Sequence, residues 1–147
     1  MVDILHRIGI EGSSPDDVYE ALTTVEGLSS WWADDTTGVG DVGGVLKFRF
    51  QAGAIDMEVV ELDPPERVRW RVVEQPEDWL GTTVDWEIRQ DGDCTIVLFR
   101  HEGWKEPTEF MHHCSTKWAL FLMSLKQLIE TGEGAPEPRD VKIGDWG

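Results

Sequence analysis

Asparagine is absent from the 147 residues, tyrosine occurs once, cysteine twice, and bases are scarce, 13 against 29 acids. Without asparagine there is no N-glycosylation sequon. Two cysteines, Cys94 and Cys114, with no CxxC spacing supply neither a disulfide framework nor a zinc ribbon. A net charge of -16 excludes nucleic acid and anionic membrane as partners, because both draw on clustered Lys and Arg. No apolar run reaches the roughly 18 residues of a membrane span. The N-terminal stretch MVDILHRIGIEG lacks a basic region followed by an apolar core, so it does not read as a signal peptide. Together these features place the protein in the cytoplasm with reduced thiols.

What is present is tryptophan, eight residues, within a chain that is 40% hydrophobic. A chain of this length makes one domain, able to bury about 68–70% of the surface its unfolded form exposes. The acid excess is uneven: residues 1–41 hold nine acids and one base, Arg7, so half of the net charge precedes the middle of the chain.

Residues 3–11 carry Ile4, Ile8 and Ile10 on a strand-like spacing. Ser14-Pro15-Asp16-Asp17 then starts a helix, with Ser14 as cap, Pro15 where its missing N–H costs nothing, and two acids at the positive end of the dipole. Val18, Ala21, Leu22 and Val25 follow at helical spacing, and Gly27 reads as the terminator. Trp31 and Trp32 come next, before an acidic loop at Asp34-Asp35 that reads as a solvated segment able to repel anions from an entrance.

From Gly38 to about residue 102 the period drops to 2, as in Leu46, Phe48, Phe50 and in Val68, Trp70, Val72. Asp63-Pro64-Pro65 and Asp91-Gly92-Asp93 mark turns, giving an antiparallel meander with one wet and one buried face. In CTIVLFRHE both parities are apolar, which leaves the direction of Phe99 and His101 open. From about Pro107 to Thr131, closed by Gly132, Phe110, Cys114, Trp118, Phe121, Leu125 and Leu128 form one helical stripe. Residues 135–147 are polar and Gly/Pro-rich, a tail after a domain of residues 1–134. Strand, short helices, strands and one long helix make an α+β domain.

The strings SSPDDVYEALTTVEGLSSWW, FRHEGW and CSTKWALFLMSLKQLIETGEGAPEP resemble the START-like or SRPBCC superfamily. Within it they resemble bacterial relatives of the activator of the heat-shock-protein-90 ATPase, over Ile4 to Pro138. The resemblance implies a helix-grip fold: a curved antiparallel sheet wrapped around a long C-terminal helix, two short helices after the first strand, and an apolar cavity between the layers. It also implies that Trp31 and Trp32 lie near the cavity mouth.

Three motifs resolve into ordinary structure. Gly38-Val39-Gly40-Asp41-Val42-Gly43 matches a GxGxxG string but precedes a strand, where a dinucleotide site needs a helix N-terminus, so it reads as a connecting loop. His112 and His113 point about 100° apart on a helix and cannot share an ion with Cys114, which argues against a metal. Cys114, on the apolar stripe, reads as a small buried hydrophobe rather than a nucleophile. Phe50 and Phe121 read as core.

Candidate ligand-binding residues are Trp31, Trp32, Phe48, Met57, Trp70, Trp86, Phe99, His101 and Trp118, since bulky rigid rings suit a wall that grips a flat apolar molecule. His101 and His113 are the candidates for proton transfer. The leading expectation is cofactor-free binding of a small hydrophobic, aromatic or lipid-like molecule. The alternatives are a polyketide cyclase or dehydratase using those histidines, and a co-chaperone-like module binding a protein partner or a second copy as a homodimer.

Overall fold

The structure is a computed structural model describing residues 1–147. Its elements are β1 (Val2–Glu11), α1 (Pro15–Thr23), α2 (Val25–Trp31), β2 (Asp35–Gly38), β3 (Val45–Phe50), β4 (Gly53–Asp63), β5 (Arg67–Val73), β6 (Thr83–Asp91), β7 (Cys94–Trp104) and α3 (Glu109–Thr131). The seven strands form one antiparallel sheet in the order β1-β7-β6-β5-β4-β3-β2. Every neighbour in the meander is sequential except β1, which returns to pair with the last strand. This curved sheet and the helices on one side of it form the helix-grip α+β fold.

Local chemistry explains the ends of the helices. At α1 the Asp17 carboxylate accepts from the Ser14 backbone N–H at 3.0 Å, satisfying a donor the first turn leaves open. At α3 the Thr108 hydroxyl accepts from Met111 N–H at 3.2 Å, and Gly132 closes the helix in the left-handed region at φ 89°. The 23 residues between span about 34 Å, enough to cross the sheet. Two points along α3 are tied to β1: Lys126 Nζ donates to Gly9 O at 2.6 Å, and His6 Nε2 meets Ser115 O at 3.1 Å.

Two expectations need correction. Gly27 does not end a helix; α1 stops at Thr23 and Gly27 lies inside α2, where its N–H donates to the Thr24 hydroxyl. A Cβ there would sit 2.7 Å from Ala21 Cα, so glycine serves the close approach of two helices, a demand that local pattern does not reveal. The acidic loop is also shorter than expected, because Asp35–Gly38 forms the edge strand β2 with only Thr36 buried. Four residues with one inward side chain carry too little alternation to be seen as a strand.

The core lies between the concave face of the sheet and the three helices. Phe48, Met57, Trp70, Trp86, Val97 and Phe99 come from strands, and Leu22, Trp31, Trp118 and Leu125 from helices. The strands' opposite face carries the scarce bases as ion pairs. Asp85, 1% exposed, receives Arg67 at 2.6 Å and Arg100 at 3.1 Å, and Arg100 also reaches Glu87 at 2.7 Å. Arg49 pairs with Asp56 at 2.8 Å. The buried acids Asp56 and Asp85 are thus neutralised within the sheet, and most of the net charge falls on helices and loops.

Candidate functional site

An apolar cavity of about 250 Å³ opens beside the aromatic core. One face of α3 supplies Phe110, His113, Cys114, Lys117, Trp118 and Phe121, spaced three or four apart as a helix stripe requires. Phe50, Ala52 in the β3–β4 turn and residues 53–55 at the start of β4 make the facing wall, Pro76 and Trp79 one end, and Trp32 the floor. The roof is the segment after α3: Glu137, Asp140, Lys142, Trp146 and Gly147.

Residues 135–147 are therefore no free tail. Ala135 N–H donates to Ser124 Oγ, which itself donates to Trp31 O, both at 2.8 Å. Glu137 N–H reaches Trp32 O at 2.8 Å, its carbonyl accepts from Asp34 N–H at 3.0 Å, and its carboxylate accepts from Gln51 N–H at 2.9 Å. From there the chain crosses the cavity mouth to Trp146, whose ring stands edge-on to His113 at 5.6 Å and lies 6.1 Å from Phe110. Polar composition hid this role. The polar atoms are used in tying the strap down, and its one aromatic side chain, Trp146, sits at the far end.

The core rings below the cavity pack against one another. Trp32 stacks on Trp70 at 6.0 Å and on Trp31 at 5.8 Å, and lies 4.2 Å from Phe48 and 5.0 Å from Trp118. Phe99 sits 4.5 Å from Trp118 and 4.9 Å from Trp86. Of the residues put forward from sequence, Trp32, Trp118 and His113 reach the cavity. Trp31, Phe48, Met57, Trp70, Trp86 and Phe99 do not; they are buried in the packed layer beneath it. Phe121 belongs to the core as read and Phe50 packs against it, and both also border the cavity.

His101 is likewise corrected. It points inward and is fully buried, but it does not face the cavity. Trp118 Nε1–H donates to its Nδ1 at 3.1 Å, which places the ring proton on Nε2; that N–H meets Thr82 Oγ1 at 2.8 Å, and the Thr82 hydroxyl donates to Trp79 O at 2.6 Å. Every donor and acceptor in the chain is satisfied. Burial pushes the imidazole down to about 3, so at neutral pH it is uncharged and locked. It is a structural link between sheet and helix, with no free nitrogen to carry a proton.

His113 stays accessible at the mouth; burial and the Lys117 charge lower its pKa, against a smaller opposing pull from Asp145. Burial pushes the Cys114 thiol up to about 12, with the neighbouring Trp79 N–H pulling it partly back. A thiol so high is not a nucleophile at neutral pH. The Trp79 N–H itself is buried and completes no hydrogen bond of normal geometry, the Cys114 sulfur being the weak acceptor it faces. No three His, Cys, Asp or Glu side chains come together as a metal site. The GxGxxG string connects β2 to β3, with Gly43 N–H bonded to Val59 O at 2.8 Å. No helix is long and apolar enough to cross a membrane.

A curved sheet gripping a long helix, with an apolar cavity between them, defines a START-like domain. The family model described as activator of Hsp90 ATPase homolog 1-like protein matches residues 13–130, and the chain belongs to that family. Among solved structures, it is 47% identical to Aha1 from Colwellia psychrerythraea, solved as a dimer, over 91% of this chain and 100% of that one with a TM-score of 0.85. CalU16 from Micromonospora echinospora shares the fold at 21% identity, covering 96% of this chain and 73% of that one with a TM-score of 0.78. Protein MLL2253 from Mesorhizobium loti shares it at 18% identity, over 86% and 96% of the two chains with a TM-score of 0.74. No curated protein matches the chain.

Proposed function

We propose that this protein binds a small apolar, ring-bearing molecule in the cavity between α3 and the β3–β4 turn. The observation that carries this reading is a space of about 250 Å³ left unfilled beside a core packed ring against ring. A recess lined mostly by apolar side chains with a few polar groups at its edge is the usual form of a small-molecule site. Ligand cavities run from about 300 to 1,000 Å³, so the space as it stands fits a one- or two-ring compound rather than a long lipid. A ligand burying roughly 200 Å² of apolar surface gains about 5 kcal/mol at ~25 cal/mol per Å², and association costs reduce that toward weak, reversible binding.

A cyclase-like reaction is less well supported, because His101 is withdrawn from the site and His113 is the only imidazole left at the wall. A second reading has its own support. The relative from Colwellia was solved as a dimer, and β1 is a sheet edge carrying Leu5, which is 65% exposed. Self-association through this edge is compatible with the cavity, which opens elsewhere.

The test is titration with the neutral fluorophore N-phenyl-1-naphthylamine, read by energy transfer from tryptophan. Saturable one-site binding is expected, weakened at least tenfold in Ile55→Trp, which fills the cavity from the start of β4, on the face that Ile55 shares with Phe48. Absence of binding, or equal affinity for an Ile55→Trp variant with an unchanged melting temperature, would refute the reading.

A further inference from the structure

The polar end of this apolar cavity is Lys117. Its stem runs along the α3 wall, its side chain is 14% exposed, and Nζ lies 5.1 Å from the centre of the Phe121 ring. An ammonium in such a place must be paired, or its desolvation costs more than its neighbours return. All of its partners come from the strap. It donates to the Asp140 carboxylate, to Val141 O at 2.8 Å and to Gly147 O at 3.0 Å. It makes no hydrogen bond to the sheet or to α3 side chains.

The strap beyond Glu137 is held to the body by side chains alone. Its backbone-to-backbone hydrogen bonds are internal, from Arg139 N–H to Pro136 O, Ile143 N–H to Gly147 O and Gly147 N–H to Gly144 O. The other attachments are the exposed pair of Arg139 with Asp34 and the edge contact of Trp146, 45% exposed, with His113. Exposed pairs hold weakly. Lifting residues 139–146 about the anchor at Glu137 therefore leaves an unpaired ammonium at the end of an aromatic slot.

On this basis we propose that the molecule bound in the cavity is an aromatic or apolar carboxylate, whose carboxylate takes the place of the Asp140 carboxylate on Lys117 while the strap acts as an internal competitor. The inference rests on the cavity reading above and adds the chemical class and the control. Asp140 is 3% exposed and is also held by Lys142 at 2.7 Å, another strap residue, so it keeps a cation when it leaves Lys117. The exchange replaces one ammonium–carboxylate pair by another, and the buried ring of the ligand supplies the difference. Lifting the strap also parts Arg139 from Asp34, but that pair is exposed and holds weakly, and the freed charge is screened beyond about 8 Å at physiological salt.

The experiment compares 2-naphthoic acid, ionised at pH 7, with 2-naphthamide, its neutral isostere, by calorimetry at physiological salt. The acid is expected to bind at least tenfold more tightly than the amide. Asp140→Asn removes the competing charge and widens that preference. Lys117→Met abolishes it, acid and amide then binding within about twofold of each other, and Lys117→Gln repeats the test with a polar side chain. Equal binding of acid and amide to the wild type, or a preference that survives both Lys117 variants, overturns the carboxylate assignment and leaves the cavity reading standing. Failure of both compounds to bind overturns the two together.

Discussion

Trp118→Ala is expected to lower the free energy of unfolding by roughly 4–6 kcal/mol and the melting temperature by roughly 10–20 °C. Trp118 sits where α3 meets the sheet, its ring among Phe99 at 4.5 Å, Trp32 at 5.0 Å and Trp79 at 5.9 Å. Truncating a buried Trp costs about 3–5 kcal/mol in lost packing and residual void. The same change strips His101 Nδ1 of its only donor inside a dry core, adding about 1–3 kcal/mol for an acceptor left unmet. Neighbouring terms overlap, so the sum falls short of simple addition. Against a typical total of about 5–15 kcal/mol this threatens the fold itself. Trp146→Ala is the control. Its ring lies on the strap at the surface, and its removal should move the midpoint by a degree or two while opening the cavity mouth. Urea and thermal unfolding of both variants check this. A Trp118→Ala protein melting within a few degrees of wild type would mean that the aromatic layer does not hold the helix to the sheet.

The second large effect is acid sensitivity from His101. In the fold its pKa is depressed to about 3 by burial, against 6.5 for the free side chain. Between those values the unfolded chain binds a proton that the folded chain refuses, so stability rises with pH. The contribution is fully present above about 6.5 and is lost as pH falls toward 3, at most ~1.4 kcal/mol per pH unit and about 5 kcal/mol across the range. Carboxylates that protonate in the same window contribute their own slope, which a variant separates. His101→Gln keeps an acceptor for Trp118 and a donor for Thr82 but does not titrate. Urea unfolding at pH 4, 5, 6 and 7 should give a wild-type slope steeper than that of the variant by close to one proton. Equal slopes would mean that the buried imidazole is protonated in the fold or open to water.

Much of this fold is legible in the chain because backbone hydrogen bonding imposes periods that side chains must follow. The alternation in Val68, Trp70 and Val72, the cap at Ser14-Pro15 and the stop at Gly132 each mark an element that is present. The site is less legible. Parity tells that Trp70 and Phe50 leave the wet face; it does not tell whether another side chain or a void meets them there. Trp70 meets Trp32 and Trp86, while Phe50, at the end of its strand, meets Trp32 and Phe121 on one side and the cavity on the other. His101 illustrates the same limit. Its residue type fits proton transfer, yet its partners arrive from Trp118 on the last helix and Thr82 on another strand. The roof was hidden because a polar segment has no period, and the pairing of Lys117 with Asp140 depends on how the chain turns after Gly132.

The most direct test of an occupied cavity beneath the strap uses the tryptophans as reporters. The eight indole N–H signals in a nitrogen–proton correlation spectrum, assigned by single Trp→Phe replacements, are followed during titration with 2-naphthoic acid and with N-phenyl-1-naphthylamine. The largest shifts are predicted at Trp32, Trp79, Trp118 and Trp146, which border the space, with smaller ones at Trp70 and Trp86 in the packed layer beneath. Uniformly unshifted indole signals at saturating ligand, or shifts confined to Trp70 and Trp86, would contradict it.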